Sequence, residues 1–256
     1  MVEARLIPCL LLSEGALVKT MKFKSPKYIG DPINAIKIFN TKEVDELIIL
    51  DIDSFKNRVS PNYELIKKIA EECFMPLCYG GGIKSIEEAD VIFKLGVEKV
   101  AIQTAAIFNP DLIFEIISKY GSQSVVISID YKKDWFGNYI LHNRNLKKKI
   151  KVIDFVTKIL NYSPGELLLN NVKLDGTKKG LDTGILDVFE NDISIPIILM
   201  GGFSDLKELK NAMKLGVNSV AAGSFFVFQG PHNAVLISYP KRDLLSNFNI
   251  LKNENM

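Results

Sequence analysis

A long internal repeat constrains the fold of this chain more than any other feature. The segment Pro76-Leu-Cys-Tyr-Gly-Gly-Gly-Ile83 aligns with Pro196-Ile-Ile-Leu-Met-Gly-Gly-Phe203. The match runs on without a gap to Lys94-Leu-Gly-Val97 and Lys214-Leu-Gly-Val217, to Val100 and Val220, and to Thr104 and Ser224. The offset stays at 120 residues, and it also pairs Glu46-Leu47 with Glu166-Leu167. A period of nearly half of a 256-residue chain implies two half-domains related by a pseudo-two-fold axis.

Local patterning says what each half is made of. Arg5–Leu11, Glu46–Asp51, Pro76–Tyr79, Lys99–Ile102, Val125–Asp130, Glu166–Asn170, Pro196–Leu199 and Ser219–Ala222 read as strands. Their interiors are almost uniformly apolar, as in strands covered on both faces. Between them lie amphipathic helices near Pro32–Lys42, Tyr63–Cys73, Ile86–Leu95, Pro110–Tyr120, Lys151–Leu160, Thr183–Glu190 and Leu206–Leu215. Asp31-Pro32, Ser60-Pro61 and Asn109-Pro110 carry helix-start signals. Strands alternating with crossover helices predict an α/β (β/α)8 TIM barrel with a half-barrel repeat. A doubly wound open sheet is the alternative, disfavoured because no GxGxxG follows the first strand. The chain reads as one domain, with half-barrels at about 1–120 and 121–228 and an atypical segment over 229–256.

Composition narrows the function. A net charge of +2 gives no reason to expect a nucleic-acid partner. Lys147, Lys148, Lys149 and Lys151 read as a solvated loop and first helical turn. The three cysteines, Cys9, Cys73 and Cys78, lie in apolar runs and suit a reducing compartment. With two histidines, a zinc site is not expected, and no cofactor is implied. The sequence shows neither a membrane-spanning stretch nor a signal peptide, so the expected location is cytoplasmic.

The repeat also places chemistry. Gly81-Gly82 and Gly201-Gly202 each end a strand, and Gln103-Thr104 and Gly223-Ser224 follow the next strand in each half. Small residues let backbone N–H groups approach a phosphate, and hydroxyls add hydrogen bonds. Asp175-Gly176 follows the sixth strand beside the second corner. Two such corners predict a ligand phosphorylated at both ends. The competing reading is that the glycines only serve tight turns.

The segments Arg5-Leu-Ile-Pro-Cys9, Gly30-Asp-Pro32, Asp45-Glu-Leu47, Gly80-Gly-Gly-Ile-Lys-Ser85, Gly121-Ser-Gln123, Asp175-Gly-Thr177 and Gly201-Gly202 carry a family resemblance. Over residues 1–228 the chain resembles HisF, the cyclase subunit of imidazole glycerol phosphate synthase. The resemblance implies a glutaminase partner, HisH, at the N-terminal barrel face and ammonia passing through the barrel interior. It also implies a charged gate at Arg5, Glu46, Lys99 and Glu166, residues that would otherwise read as a structural plug. The family's two catalytic aspartates end the first and fifth strands. Here Asp130 fills the fifth-strand position, but Leu11 stands in the first, and leucine transfers no proton.

Other departures follow. His142-Asn-Arg-Asn-Leu146 replaces a Gly-Gly-Arg segment, Asn170-Asn171 replaces small hydroxyl residues, and Phe226–Pro240 replaces the eighth helix with a β-rich stretch. The segment Ala234–Tyr239 is expected to be extended or irregular. These features are similar to a paralogous branch that works in acetamidino-sugar formation for surface polysaccharides. That branch pairs with a HisH-like glutaminase and an ATP-dependent sugar ligase. Three functions compete: an ammonia-using subunit for acetamidino modification, a histidine-pathway cyclase, and a non-catalytic activator of the glutaminase that binds a phosphorylated ligand.

Overall fold

The first strand is buried on both faces, and its side chains alternate between two clusters. The structure, a computed structural model, describes residues 4–54, 60–189, 193–217 and 219–241. In β1 (Arg5–Ser13), Leu6, Leu10 and Leu12 belong to the large outer core, whereas Ile7 and Cys9 belong to a separate inner cluster. That period of two lets one strand serve a helical layer outside and a barrel interior inside.

A hairpin follows, β2 (Ala16–Met21) with β3 (Lys24–Gly30), and then α1 (Pro32–Thr41). The barrel continues through β4 (Leu47–Asp51), α2 (Tyr63–Glu72), β5 (Leu77–Gly80), α3 (Ile86–Lys94) and β6 (Lys99–Ile102). A short α4 (Thr104–Phe108) and α5 (Asp111–Tyr120) lead to β7 (Val125–Lys133) and its antiparallel partner β8 (Tyr139–Leu141). Then come α6 (Val152–Leu160), β9 (Glu166–Asn171), β10 (Ile197–Met200), α7 (Leu206–Lys214), β11 (Ser219–Ala222) and a short α8 (Ser224–Val227). The parallel order β1-β4-β5-β6-β7-β9-β10-β11 closes when β11 pairs with β1, from Arg5↔Ser219 to Pro8↔Ala222. The expected (β/α)8 barrel is therefore present, and closure leaves no exposed edge among its eight strands.

Several local expectations need correction. The segment predicted as the helix Thr183–Glu190 is a 3-10 helix over Thr183–Phe189, and Glu190 lies outside the described residues. Gly184 near its start weakens an α-helical nucleus there. Asp31 caps α1 as expected, accepting from the Asn34 N–H at 2.9 Å. Ser60 does not cap α2; Asn62 does, accepting from the Leu65 N–H at 3.1 Å. Asn109 makes no side-chain cap either, because Pro110 itself occupies the cap position with φ −66°.

No helix covers residues 234–240. Instead β12 (Phe228–Gln229) pairs with β13 (Ala234–Val235), and the chain then runs irregularly down the barrel wall. Tyr239 fixes this run. Its ring stacks on Phe226 with centroids 5.4 Å apart, and its hydroxyl donates to the Leu6 carbonyl at 2.8 Å. Replacing a buried aromatic by alanine removes packing and leaves a cavity, so Tyr239→Ala is expected to cost about 3–5 kcal/mol. Tyr239→Phe, which keeps the ring, should cost about 1 kcal/mol. Urea unfolding of the two variants against the parent chain measures both.

Candidate functional site

The N-terminal end of the barrel is closed by four charges. The Arg5 guanidinium reaches Glu46 at 2.7 Å and Glu166 at 2.8 Å. The Lys99 ammonium reaches the same two carboxylates at 2.9 and 3.2 Å. The result is a closed cycle of alternating sign, so each buried carboxylate has two cationic neighbours. Opposite neighbours at this distance offset the cost of removing the charges from water. Arg5 also donates to the Ser219 hydroxyl at 2.9 Å. Above the cycle the interior is lined by Ile7, Cys9, Ile48, Cys78, Ala101, Val126, Leu168, Ile198, Met200 and Ala221. Burial pushes the Cys9 thiol up to about 12 and Cys78 well above the ordinary range, so neither thiol is charged at neutral pH.

At the opposite end, Asp130 accepts from Gln103 Nε2 at 2.6 Å and from Asn170 Nδ2 at 2.8 Å. It keeps partial exposure to the mouth, yet protein surrounds it closely. Burial pushes its carboxyl up to about 6; the two amide hydrogen bonds pull it down and the negative Asp175 adds to the rise. Leu11 shares the inward register of Ile7 and Cys9 and pairs with Leu50 on β4, so the first strand brings no carboxylate to the mouth. Asp51, at the end of β4, is tied to the Ser54 hydroxyl at 2.8 Å and to two backbone N–H groups.

The two glycine corners differ. In the first, Gly81 has φ +129° and a Cβ there would lie 2.5 Å from the Asp51 carbonyl oxygen, so only glycine fits against β4. Gln103 is committed to Asp130, and Asn143 Nδ2 bridges Gln103 Oε1 at 3.4 Å and the Thr104 hydroxyl at 3.3 Å. Gly81, Gly82, Gln103 and Thr104 line neither the small cavity at the second corner nor the cationic cleft beside it. In the second corner, Asp175, Gly176, Gly201, Gly202, Gly223 and Ser224 gather around one small cavity. Gly202 has φ +98°, and a Cβ there would collide with the Gly180 carbonyl oxygen. The Ser224 hydroxyl is buried without a hydrogen-bond partner among the described residues, and so is Asn170 Oδ1, which faces Gly201. Orphaned buried polar atoms are costly unless something outside the chain satisfies them.

A cleft of about 790 Å³ opens beside this corner. Lys19, Lys22, Lys24, Lys27, Lys132, Arg144 and Lys173 line it, together with His142, His232, Phe23 and Phe228, and no lining residue is a carboxylate. Such a field draws anions. Burial lowers the His142 imidazole, as do the neighbouring charges of Lys132, Arg144 and Lys173. Lys19 is itself buried and bonded to Asp175 at 2.8 Å, and Thr20 also donates to Asp175 at 3.3 Å. Asp175 therefore positions Lys19 within the cleft wall.

Sequence reasoning missed Lys19 and the cationic cleft because it missed the β2–β3 hairpin. The available signal was Gly15 between two apolar runs, a turn residue followed by a strand. Among the described residues, no group of histidine, cysteine, aspartate and glutamate side chains is arranged to hold a metal.

The raised Asp130 carboxyl has a consequence for stability. In the unfolded chain this group titrates near 3.9 and in the folded chain near 6, so the folded state binds the proton more tightly. The resulting stabilisation is complete below about pH 4 and lost above about pH 6, a change of about 3 kcal/mol at most. Asp130→Asn removes this dependence. Its stability relative to the parent chain should therefore rise as pH goes from 4 to 7, measured by urea unfolding at both ends of that window.

Comparison with known proteins matches this geometry. The histidine biosynthesis protein family covers residues 5–232. A Pseudomonas aeruginosa protein provisionally named imidazole glycerol phosphate synthase subunit hisF2 is 50% identical over 94% of this chain and 97% of its own length. A Leptospira interrogans protein provisionally named as the HisF subunit of that synthase is 43% identical over 95% of this chain and 97% of its own. The imidazole glycerol phosphate synthase subunit HisF of Streptomyces coelicolor is 34% identical over 88% and 90%. A closed eight-stranded barrel with charges at one end, glycine corners at the other and identity of this extent together place the chain in the HisF family.

Proposed function

We propose that this barrel is the HisF-like subunit of a glutamine amidotransferase system, acting in acetamidino modification of a nucleotide-linked sugar for surface polysaccharide. It takes ammonia from a HisH-like glutaminase at the N-terminal face and delivers it at the mouth. The observation that carries this reading is Leu11. With leucine on the inward face of β1, Asp130 has no second carboxylate from the first strand to share acid–base work. The relatives' names describe synthase subunits, which supports a partner subunit. The four-charge cycle and the apolar interior above it support passage of a small neutral molecule. No helix among the described residues is long and apolar enough to cross a membrane.

The test uses the barrel with its glutaminase. Supplied with ammonium and the histidine-pathway substrate, the assembly should give no cyclisation, because losing one of a cooperating pair of catalytic groups costs orders of magnitude. Turnover at an ordinary rate would assign the chain to histidine biosynthesis. Supplied with the sugar ligase and glutamine, it should form the amidine product. Lys99→Ala should lower that glutamine-driven rate severalfold while changing the ammonium-driven rate less. Equal loss with both nitrogen sources would make the charge cycle a plug only.

A second reading, a phosphorylated ligand that activates the glutaminase, is favoured by the orphan Ser224 hydroxyl and the cationic cleft. Ser224→Ala deletes a buried hydroxyl that has no partner among the described residues, so it should leave stability unchanged or slightly higher. The same change should weaken inorganic phosphate binding about tenfold to a hundredfold, the worth of one hydrogen bond to a charged group, as followed by calorimetry.

A further inference from the structure

The most exposed large apolar side chains at the mouth belong to a tightly built turn. Trp135 is 95% exposed and Phe136 is 83% exposed, side by side at the tip of the β7–β8 hairpin. Asp134 organises that tip. Its carboxylate accepts from the Phe136 N–H at 2.9 Å and from the Asn138 N–H at 3.0 Å, and its own N–H donates to the Asn138 carbonyl at 2.9 Å. Lys149 pairs with it at 3.6 Å. The hairpin stem is braced as well. Tyr139 packs edge-on against Tyr131 and donates to Asp182 at 3.0 Å, and Asp182 also accepts from Asn171 at 2.8 Å. A turn this well bonded holds two bare aromatic rings in water, where a flexible loop would fold them away. Large exposed aromatic surface of this kind marks a contact site.

The position of the turn says what it meets. Lys132 on one hairpin strand and His142 and Arg144 just past the other line the cationic cleft, so the aromatic tip stands on the cleft rim. The β2–β3 hairpin forms another part of that rim, with Phe23 and His142 ring centroids 6.0 Å apart and Met21 exposed beside the cleft. A partner that covers both the aromatic pair and the cleft beside it lies over the C-terminal end of the barrel, where ammonia would emerge. Ammonia released into neutral water is protonated and loses its nucleophilicity, so an acceptor enzyme gains by docking where the gas emerges.

We propose that the Trp135–Phe136 tip and the cationic cleft form the docking surface for the ammonia-accepting enzyme, a protein presenting an acidic convex face beside an apolar slot. The inference rests on the ammonia-delivery reading above. Charge complementarity selects a protein over a bilayer: the lysines sit inside a concave cleft, out of reach of a flat layer of headgroups but open to a protruding acidic surface.

The experiment reconstitutes the full-length barrel with its glutaminase and the ATP-dependent sugar ligase. Trp135→Ala with Phe136→Ala removes only exposed side chains, so the unfolding temperature should not change. Loss of two central aromatic anchors should weaken ligase binding about thirtyfold or more in a titration. Glutamine-driven product should fall, free ammonia should appear in the medium, and ammonium-driven product should hold. Ligase binding that survives the double substitution overturns the docking proposal alone. So does an aromatic-dependent affinity for phosphatidylglycerol vesicles, or an aromatic-dependent self-association, that matches the affinity for the ligase. A wild-type assembly that neither binds the ligase nor feeds it overturns the ammonia-delivery reading and the docking proposal together.

Discussion

Arg5 joins the two constraints on which the structure depends. Its backbone begins the pairing of β1 with Ser219 on β11, which closes the barrel, and its guanidinium links Glu46 to Glu166 across the barrel floor. Closure forces the strand starts together, and inward positions at those starts would otherwise enclose either water or a void. Charges of alternating sign fill the space while satisfying one another. Lys99 completes the cycle from the opposite side. Hydrophobic residues of the same volume would pack there with less desolvation cost. That the chain retains four charges on the floor, directly beneath an interior of small and apolar side chains, accords with a role beyond support.

The mouth is organised by the opposite logic, since it leaves polar atoms unsatisfied. Asp130 is crowded by protein and raised in pKa, Asn170 Oδ1 lacks a donor, and the Ser224 hydroxyl lacks any partner among the described residues. Each of these costs folding free energy, and all three lie at one end of the barrel. The floor, by contrast, spends its polar groups on each other. The paired charges thus lie at one end and the unpartnered polar atoms at the other.

The sequence repeat revealed the barrel, its half-barrel symmetry and the two glycine corners, because each depends on residue types at fixed spacing. The charge cycle was also legible, since a charge at the first position of an otherwise apolar strand has only the barrel end to occupy. What escaped was everything inserted into that plan. The β2–β3 hairpin carries Lys19, Lys22, Lys24 and Lys27 to the cleft, yet its lysines alternate with apolar residues too irregularly to announce a strand pair. Residues 142–146 were marked as a departure, but nothing in their order showed that Asn143 would bridge Gln103 and Thr104. Capping shifted by one or two residues where prolines crowd a helix start, as at Asn62 and Pro110.

Those insertions break the symmetry that the repeat establishes. Thr104 and Ser224 occupy equivalent positions, and their glycine loops superpose in sequence. Asn143 donates to the Thr104 hydroxyl and ties that corner to Gln103 and Asp130. Among the described residues nothing equivalent reaches Ser224, and Asp175 beside it is bonded to Lys19. One corner is thus satisfied from within the chain, whereas the other is left to be satisfied from outside it and faces the cationic cleft. For the phosphorylated-ligand reading proposed above, this asymmetry favours a ligand whose anionic group would lie at the second corner. The segment after the fifth barrel strand supplies both Asn143, which bonds Thr104 in the first corner, and Arg144, which lines the cleft.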